Sequence, residues 1–268
     1  MRTLCFVNKL QLIFCNIFIT GCYDRKRGKL ETQEVNTRLS DKITVIVPTL
    51  NEEKTLYNTL NLLSLSDNEE LIVVDGGSSD GSVSIARKFT DRVFVTTTGK
   101  GRGHAMNYGA QRAEGDILLF LHADSSLPDG AFDTVREVMK NRRVAAGAFD
   151  IIIDHPGLRF RIIEAGANLR SRGTSIPYGD QGIFMKKDRF HSVGGFEDLP
   201  IMEDIAISRK LSKEGKIVFV RPPVKTSPRR WLKEGAVYTT LRDWTIALSY
   251  SFLRISPSVL KKYYRDVR

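Results

Sequence analysis

The middle of the chain alternates short apolar runs with segments in which apolar residues recur at helical spacing. Each run is too short for a helix and rich in strand-forming residues, so it predicts a strand buried on both faces. Between the runs, spacing such as that of Leu56, Leu60 and Leu63 predicts helices. Strands that alternate with helices are typical of a Rossmann-like, mostly parallel sheet with flanking helices, so the predicted class is α/β. The four predicted strands cover residues 43–48, 71–74, 92–95 and 117–121.

The second half of the chain alternates less regularly, and it ends in a predicted helical segment. We expect a loop that runs to Phe196, and a break at Pro222 and Pro223 because proline cannot donate to a central strand ladder. A bulge is expected at Gly147. The predicted strands cover residues 144–153, 182–185 and 216–220. The predicted helices cover 128–141, 158–171, 201–214 and, as one or two helices, 231–253.

Residues 1–40 do not resemble part of this fold. Arg2 and Lys9 precede an apolar run over 10–20, and the sequence at 19–22 resembles a lipoprotein cleavage box, so the segment has the pattern of a weak signal peptide. Three interpretations stay open: a non-native or mispredicted start, an uncleaved membrane-proximal anchor, and true export.

The rest of the chain, residues 41–268, is expected to form one domain, with a nucleotide-binding half at 41–126 and an acceptor half at 127–268. No apolar run approaches the roughly 20 residues that a membrane-spanning helix needs. The body contains no cysteine, which suits a reducing compartment. We therefore expect a cytoplasmic protein. All three cysteines lie in the first 22 residues: Cys5, Cys15 and Cys22.

The formal charge of +10 is spread unevenly. From Arg209 onward, 15 Lys and Arg stand against 4 Asp and Glu, a net +11, so the preceding 208 residues sum to −1. Such a tail can bind nucleic acid, anionic lipid or a phosphorylated substrate, or it can form a solvated basic surface. Within it, the apolar segment 245–253 precedes Lys261 and Lys262, an order that suits either an interfacial helix or a core helix.

Polar residues that could hold a ligand follow three of the predicted strands. In a parallel sheet the carboxyl ends of the strands meet at one edge, where ligands bind. Clustered carboxylates repel one another unless a cation neutralises them, and oxygen ligands favour Mg²⁺ or Mn²⁺. Taken alone, Asp124 could equally cap the next helix, but the two neighbouring strand ends favour a metal site. The three strand ends read Pro-Thr-Leu-Asn-Glu at 48–52, Asp-Gly-Gly-Ser-Ser-Asp at 75–80 and His-Ala-Asp at 122–124.

These motifs resemble those of family-2-type inverting glycosyltransferases of the GT-A fold, and the resemblance runs from about residue 43 to the C-terminus. It is nearest to a small soluble subgroup associated with radical-SAM and selenodomain proteins. The resemblance implies a nucleotide-sugar site built from the three strand ends and the helix before the third. The residues it assigns to that site are Pro48, Thr49, Asn51, Glu52, Asp75, Gly76, Ser78, Asp80, Arg102, Asn107 and Ala123.

The same resemblance makes Asp124 the metal-binding aspartate of a D-x-D motif. This chain departs from the motif because His122 stands where the first aspartate is usual, so His122 either ligates the metal, contacts the sugar, or leaves coordination to Asp124. Met202-Glu203-Asp204 resembles the catalytic acidic pair of the family. Asp204 is therefore the expected general base, with Glu203 next. Two acids in the first turn of a helix would also be favoured by its dipole.

Four further residues are implied as acceptor or sugar ligands: Asp180, Gln181, Arg230 and Trp231. The last two belong to Ser-Pro-Arg-Arg-Trp at 227–231, which resembles the Q-x-x-R-W motif of processive relatives with Ser227 in place of glutamine. Because the glutamine is missing and no membrane-spanning segment is predicted, we do not expect a processive polysaccharide synthase.

The leading hypothesis is a metal-assisted transfer of one sugar, with inversion, from a nucleotide-sugar to an acceptor hydroxyl. The expected donor is UDP-linked, the cofactor is Mg²⁺ or Mn²⁺, and the unknown acceptor includes lipid-linked candidates, with peripheral membrane contact a further expectation. One alternative is a nucleotidyltransferase of similar fold, although the Gly-rich, Lys-containing loop expected after the first strand is replaced by Thr49-Leu50-Asn51-Glu52. Another is a non-enzymatic nucleic-acid-binding protein that uses the basic tail. Because that tail lacks a recognisable reading motif, no nucleic-acid partner is expected.

Overall fold

The computed structural model describes residues 41–96 and 101–264. The interpretations of the segment 1–40 lie outside the described residues, as does part of the predicted loop at 99–103. No helix in the described ranges is both long enough and apolar enough to cross a membrane.

Eight strands of the described part form one sheet in the order β3-β2-β1-β4-β7-β6-β8-β5. The predicted α/β class is confirmed, and the predicted parallel sheet holds for the first four strands in this order. Beyond β4 the sheet is mixed, because β7 runs antiparallel to β4 and β6, while β8 runs parallel to β6. The strands are β1 Ile43–Thr49, β2 Glu69–Asp75, β3 Val93–Val95, β4 Ile117–Phe120, β5 Ser125–Ser126, β6 Val144–Ile153, β7 Ile183–Lys186 and β8 Lys216–Thr226.

Helices cover both faces of this sheet. Their bounds are α1 Glu53–Asn61, α2 Ser82–Ala86, α3 Arg102–Arg112, α4 Ala131–Met139, α5 Leu158–Thr174, α6 Lys187–Ser192, α7 Glu203–Glu214, α8 Arg229–Glu234, α9 Ala236–Leu253 and α10 Pro257–Leu260. Single turns of 3-10 helix occur at Gly179–Gln181 and Lys261–Tyr263. Helix α6 corrects the predicted loop, since it places Phe190 in the core directly after β7.

The pleat of the central strands divides the core into two layers. Val45 and Val47 of β1 point into one layer with Leu56 and Leu60 of α1, whereas Ile46 points into the other. Fully burying an aliphatic side chain stabilises the fold by roughly 1.5–3 kcal/mol. Because successive strand residues face opposite sides of the sheet and are apolar on both sides, they favour a sheet that is covered on both faces. This burial fixes the register of β1, β2 and β4, and with it the edge at which their polar ends meet.

The prolines of β8 do not break the chain, which corrects the prediction. Strand β8 continues through Pro222 and Pro223 because its pairing with β6 shifts there, from Phe149 opposite Val220 to Ile151 opposite Val224. The shift removes both prolines from the ladder, where neither could donate.

The bulge is not at Gly147 either, since that residue pairs with Phe184 of β7. The irregularities of β6 against β8 fall between Val144 and Ala146 and between Phe149 and Ile151. A Cβ atom on Gly147 would overlap the ring of Phe184, so glycine is needed here for close packing.

Replacing Gly147 by alanine should therefore lower the free energy of unfolding by about 1–3 kcal/mol, because the buried ring of Phe184 must move. Urea unfolding measures the change. The matched control is Gly173→Ala in α5, where a Cβ atom would meet nothing within 4 Å. Equal stability of the two variants would contradict the packing explanation.

Candidate active site

A cavity of about 520 Å³ lies at the carboxyl ends of the parallel strands. Pro48 and Thr49 at the end of β1, Gly76 after β2, and Asp124 after β4 all line it. The geometry follows from the sheet, since parallel neighbours deliver their carboxyl ends to the same edge. Residues from the second half of the chain close the other side. The predicted site residues that line the cavity are Pro48, Thr49, Glu52, Gly76, Arg102, His122, Ala123, Asp124, Asp180, Gln181, Glu203, Asp204, Arg230 and Trp231.

Five predicted nucleotide-binding residues do not line the cavity, and three of these shape its loops. The buried carboxylate of Asp75 accepts hydrogen bonds from the amides of Gly77 (2.9 Å) and Ser78 (2.8 Å) and from the Ser78 hydroxyl (2.5 Å). The same hydroxyl accepts from the amide of Asn51 at 2.8 Å. These bonds tie the loop after β2 to the loop after β1, so Asp75, Ser78 and Asn51 hold the backbone of these two loops in place.

The other two, Asp80 and Asn107, also make structural contacts. The carboxylate of Asp80 accepts from the Ser82 hydroxyl (2.6 Å) and from the amide of Glu53 (3.1 Å), which links the starts of α1 and α2. The amide side chain of Asn107 donates to the carbonyl of Phe196 (2.8 Å) and accepts from its N–H (2.9 Å). Helix α3 is thereby fixed against the segment that leads into α7.

The first turns of α3 and α7 meet through an ion pair between the half-exposed side chain of Arg102 and the buried carboxylate of Glu203. The Nε of Arg102 donates to Oε1 of Glu203 at 2.7 Å, and only 1% of Glu203 is exposed. Gly103 permits this approach, because a Cβ atom there would lie 2.9 Å from the carbonyl oxygen of Glu197 and 3.3 Å from the Cβ of Glu203. Glu203 therefore holds Arg102 at the cavity wall. Of the two adjacent acids, Asp204 is the one that is not paired with this arginine.

Asp204 is buried at the base of the cavity. Its Oδ2 accepts from the amide of Gly179 at 2.9 Å, and its Oδ1 accepts from the amide of Ile205 at 2.8 Å. Burial raises the pKa of Asp204 to about 6, and the charge of Glu203 adds to the rise, while Arg102 and the two amides oppose it. A carboxylate with such a pKa is ionised at neutral pH and can still take up a proton.

Arg229, in the first turn of α8, is a site residue that was absent from the predicted set. Its two terminal nitrogens donate to both carboxylate oxygens of Glu52 at 2.5 and 2.6 Å. One of them also lies 3.1 Å from Oδ2 of Asp124. Burial raises the pKa of Asp124 while the charge of Arg229 opposes that rise, so the arginine supplies the cation that the carboxylate cluster requires. The signal was available, because Arg229 belongs to the same Ser-Pro-Arg-Arg-Trp segment as Arg230.

His122 is half-buried, and its Nε2 lies buried against the turn at Gly179. Burial, together with the nearby Arg102, Arg230 and Arg229, holds the pKa of His122 well below its usual range, so its imidazole is neutral. Its Nε2 has no hydrogen-bond partner among the described residues, and a Cβ atom on Gly179 would lie 2.5 Å from it. The imidazole is thus packed against backbone.

No three His, Cys, Asp or Glu residues of the described ranges come together as a complete metal site. Asp124 is nonetheless suited to a hard divalent ion, because Mg²⁺ is commonly held by one or two carboxylates together with substrate phosphates. The donor set therefore fits a metal that is completed by a diphosphate, with Asp124 as the protein ligand.

Part of the cavity lining is apolar and aromatic. Ile163 and Ala167 of α5, Trp231 of α8 and Trp244 of α9 line it. The guanidinium of Arg170 lies 3.6 Å from the ring centre of Tyr178, whose pKa is raised to about 12 by burial. Tyr178 therefore remains a neutral phenol.

Of the two predicted sugar ligands on the 3-10 turn, Asp180 lines the cavity and is half-buried, whereas Gln181 is buried and hydrogen-bonded. Gln181 is buried, accepting from the Ser171 hydroxyl (2.8 Å) and the Tyr178 amide (2.9 Å) and donating to the Phe149 carbonyl (3.0 Å). It braces the turn that presents Asp180 to the cavity. Arg230 lines the cavity while paired with Asp243 at 3.1 Å.

Comparison with known proteins gives consistent results. The family described as Glycosyl transferase family 2 matches residues 44–196. Poly-beta-1,6-N-acetyl-D-glucosamine synthase of Staphylococcus epidermidis is 29% identical over 205 residues, which are 68% of this chain and 47% of that protein. The chain thus spans about half the length of the curated relatives that it matches.

Two solved structures show the fold. TarS 1-349 of S. aureus in complex with UDP-GlcNAc superposes with a TM-score of 0.54 and 17% identity, covering 83% of this chain and 70% of that one. The mannosyltransferase PcManGT of Pyrobaculum calidifontis, in complex with GDP-Man and Mn²⁺, gives 0.57 and 22%, covering 84% and 68%. At these identities the likeness shows a shared GT-A fold.

A double-mutant cycle tests the contact between Arg229 and Glu52. Arg229→Gln should lower the free energy of unfolding by about 2–4 kcal/mol, because it leaves two largely buried carboxylates without their cation. The added Glu52→Gln change should restore part of this loss, with a coupling energy of at least about 1 kcal/mol. Urea unfolding measures all four proteins.

The control is the exposed pair of Lys140 and Glu137, whose nitrogen and oxygen lie 2.6 Å apart. Its coupling should stay below about 0.5 kcal/mol, because solvent screens it. Additive effects at Arg229 and Glu52 would show that the arginine does not neutralise the cluster.

Proposed function

Because the chain belongs to glycosyl transferase family 2, we propose that it transfers a single sugar from a nucleotide-sugar to an acceptor hydroxyl, with inversion at the anomeric carbon. The observation that carries the proposal is one cavity that joins the strand-end carboxylate of Asp124 to the buried carboxylate of Asp204. The family match favours sugar transfer over the nucleotidyltransferase alternative. We further propose that residues 41–268 act as one domain, with the nucleotide bound by the half at 41–126.

The donor would lie along the ends of β1 and β2. Thr49 supports this, because its hydroxyl is buried, lines the cavity and has no hydrogen-bond partner among the described residues. Gly76 lines the cavity and has no side chain, so it would give the nucleotide close access to backbone. Arg102 and Arg230 would face the diphosphate. We propose a UDP-linked donor on the likeness to the TarS complex with UDP-GlcNAc.

A divalent ion, Mg²⁺ or Mn²⁺, would be held by Asp124 and by the diphosphate. When bound it would neutralise charge on the departing nucleoside diphosphate. PcManGT, which shares the fold, was solved with Mn²⁺. His122 would support the turn at Gly179 from below, so we assign coordination to Asp124 alone.

Asp204 would act as the general base. The acceptor oxygen would attack the anomeric carbon as its proton passes to the carboxylate of Asp204, and the bond to the diphosphate would break on the opposite side. Gly179 and Ile205 orient the carboxylate, and Glu203 keeps Arg102 beside it. The acceptor would enter over Asp180 and Trp231. The apolar wall around Trp231 and Trp244 suits an acceptor with an apolar portion, so we include lipid-linked acceptors.

The test is donor turnover, measured as UDP release from UDP-N-acetylglucosamine and UDP-glucose with Mn²⁺, because water can replace an unidentified acceptor. Asp204→Asn should lower the rate by about 10²–10⁴-fold, since general-base catalysis contributes that much. Donor binding, followed as a rise in melting temperature, should persist. In the wild type the rate should fall about tenfold per pH unit below pH 6, where Asp204 becomes protonated.

The matched control is Asp133→Asn, which also removes an acid from the first turn of a helix but at an exposed position. Its rate and its pH profile should equal those of the wild type. Undiminished turnover by Asp204→Asn, or a flat profile down to pH 4.5, would reject Asp204 as the base.

A further inference from the structure

Helices α5 and α9 each expose a stripe of apolar side chains. Residues 158, 162, 165 and 169 of α5 are exposed, and their spacing of three or four places them along one side of the helix. The exposed residues 237, 241, 244, 248 and 252 of α9 follow the same spacing. Seven of these side chains are large aliphatic or aromatic groups with 55–78% exposure: Leu158, Ile162, Leu169, Val237, Leu241, Leu248 and Phe252.

The two helices are in contact at Trp244, which belongs to the stripe of α9. A Cβ atom on Gly166 of α5 would lie 3.4 Å from the indole of Trp244, and the guanidinium of Arg170 lies 5.9 Å from that ring. Gly166 and Arg170 are the immediate neighbours of the exposed Ala165 and Leu169. We call the two stripes together the α5–α9 face. Two neighbouring helices that both expose apolar stripes mark a candidate interaction site.

The charges around the α5–α9 face have a single sign. Every exposed charged side chain on α5, α8 and α9 or at their ends is basic, within the ranges that the structure describes. The acids of these helices are withdrawn into ion pairs, as Glu164 is with Arg161, Glu234 with Arg242, and Asp243 with Arg230. The exposed basic residues are Arg159, Lys233 and Arg254, together with Arg172, which is paired with the buried Asp150.

An apolar face with basic residues at its margins matches the surface of an anionic membrane. Apolar side chains enter the boundary between headgroups and acyl chains, while lysine and arginine remain at the phosphate level. A second copy of the chain would be a poorer partner, because a symmetric contact would bring the basic margins of both copies together. The same two helices also line the cavity, through Ile163, Ala167 and Trp244.

We propose that the α5–α9 face docks the protein on an anionic membrane surface, with the cavity beside the lipid. The docking does not depend on the proposed function, but together with it the docking would bring membrane-resident acceptors to the site. The sequence pattern alone suggested an interfacial helix at residues 245–253, followed by basic residues. The structure adds the exposed apolar stripe of α5 to the proposed membrane-binding surface.

Flotation of the full chain with vesicles tests the proposal. We expect co-migration with phosphatidylcholine vesicles that contain about one third phosphatidylglycerol, and much weaker binding to pure phosphatidylcholine. The variant Ile162→Ser, Leu241→Ser, Leu248→Ser should reduce the bound fraction at least about tenfold, because it removes apolar contacts that drive interfacial binding. None of these three side chains lines the cavity, so UDP release without vesicles should be unchanged.

The matched control replaces three exposed apolar residues outside the α5–α9 face, Tyr57, Leu62 and Val95, by serine. It should float like the wild type. Failure of the wild type to float would overturn the proposal, and so would equal flotation of the Ile162, Leu241, Leu248 variant, which would place binding elsewhere in the chain. Analytical ultracentrifugation adds one more overturning result: a dimer that this variant abolishes would assign the face to a second copy. UDP release in the absence of vesicles reports separately on the proposed function.

Discussion

Carboxylates gathered at the edge of a parallel sheet require a cation, and this requirement organises the molecule. The strand ends bring the largely buried carboxylates of Glu52 and Asp124 into one cavity, where two negative charges repel strongly. Arg229 bridges both acids from α8, in the distant second half of the chain. The ion pair of Arg102 with Glu203 makes a second connection of the same kind. The cavity is therefore closed by electrostatic contacts between sequence segments that the sheet itself does not join.

A consequence is that several conspicuous polar residues support the site from behind. Asp75 uses its carboxylate to fold the loop after β2, and Gln181 uses both ends of its amide to brace the turn at Gly179. Asn107 fixes the approach to α7. These hydrogen-bonded side chains hold the backbone around the cavity, whereas the buried hydroxyl of Thr49, which also lines the cavity, has no partner among the described residues.

How far the sequence predicted this arrangement depends on the range of the interactions. The apolar runs predicted the parallel half of the sheet, because burial on both faces leaves a local signal. Their polar ends predicted a site at Asp124, which lines the cavity. The path of β8 through Pro222 and Pro223 was missed, since it depends on a pairing shift opposite β6. Arg229 was missed for a similar reason, because its partners lie far away in the chain.

The role of Asp124 as a metal ligand is tested most directly by a titration of Mn²⁺ followed by electron paramagnetic resonance. If the ion is held by one carboxylate and a diphosphate, the chain alone should leave the free Mn²⁺ signal nearly unchanged, because Arg229 already neutralises the cluster. Chain and UDP together should remove far more of the signal than UDP alone does, and Asp124→Asn should abolish the difference. Tight Mn²⁺ binding without UDP, or an unchanged result in Asp124→Asn, would contradict the assignment of the metal site.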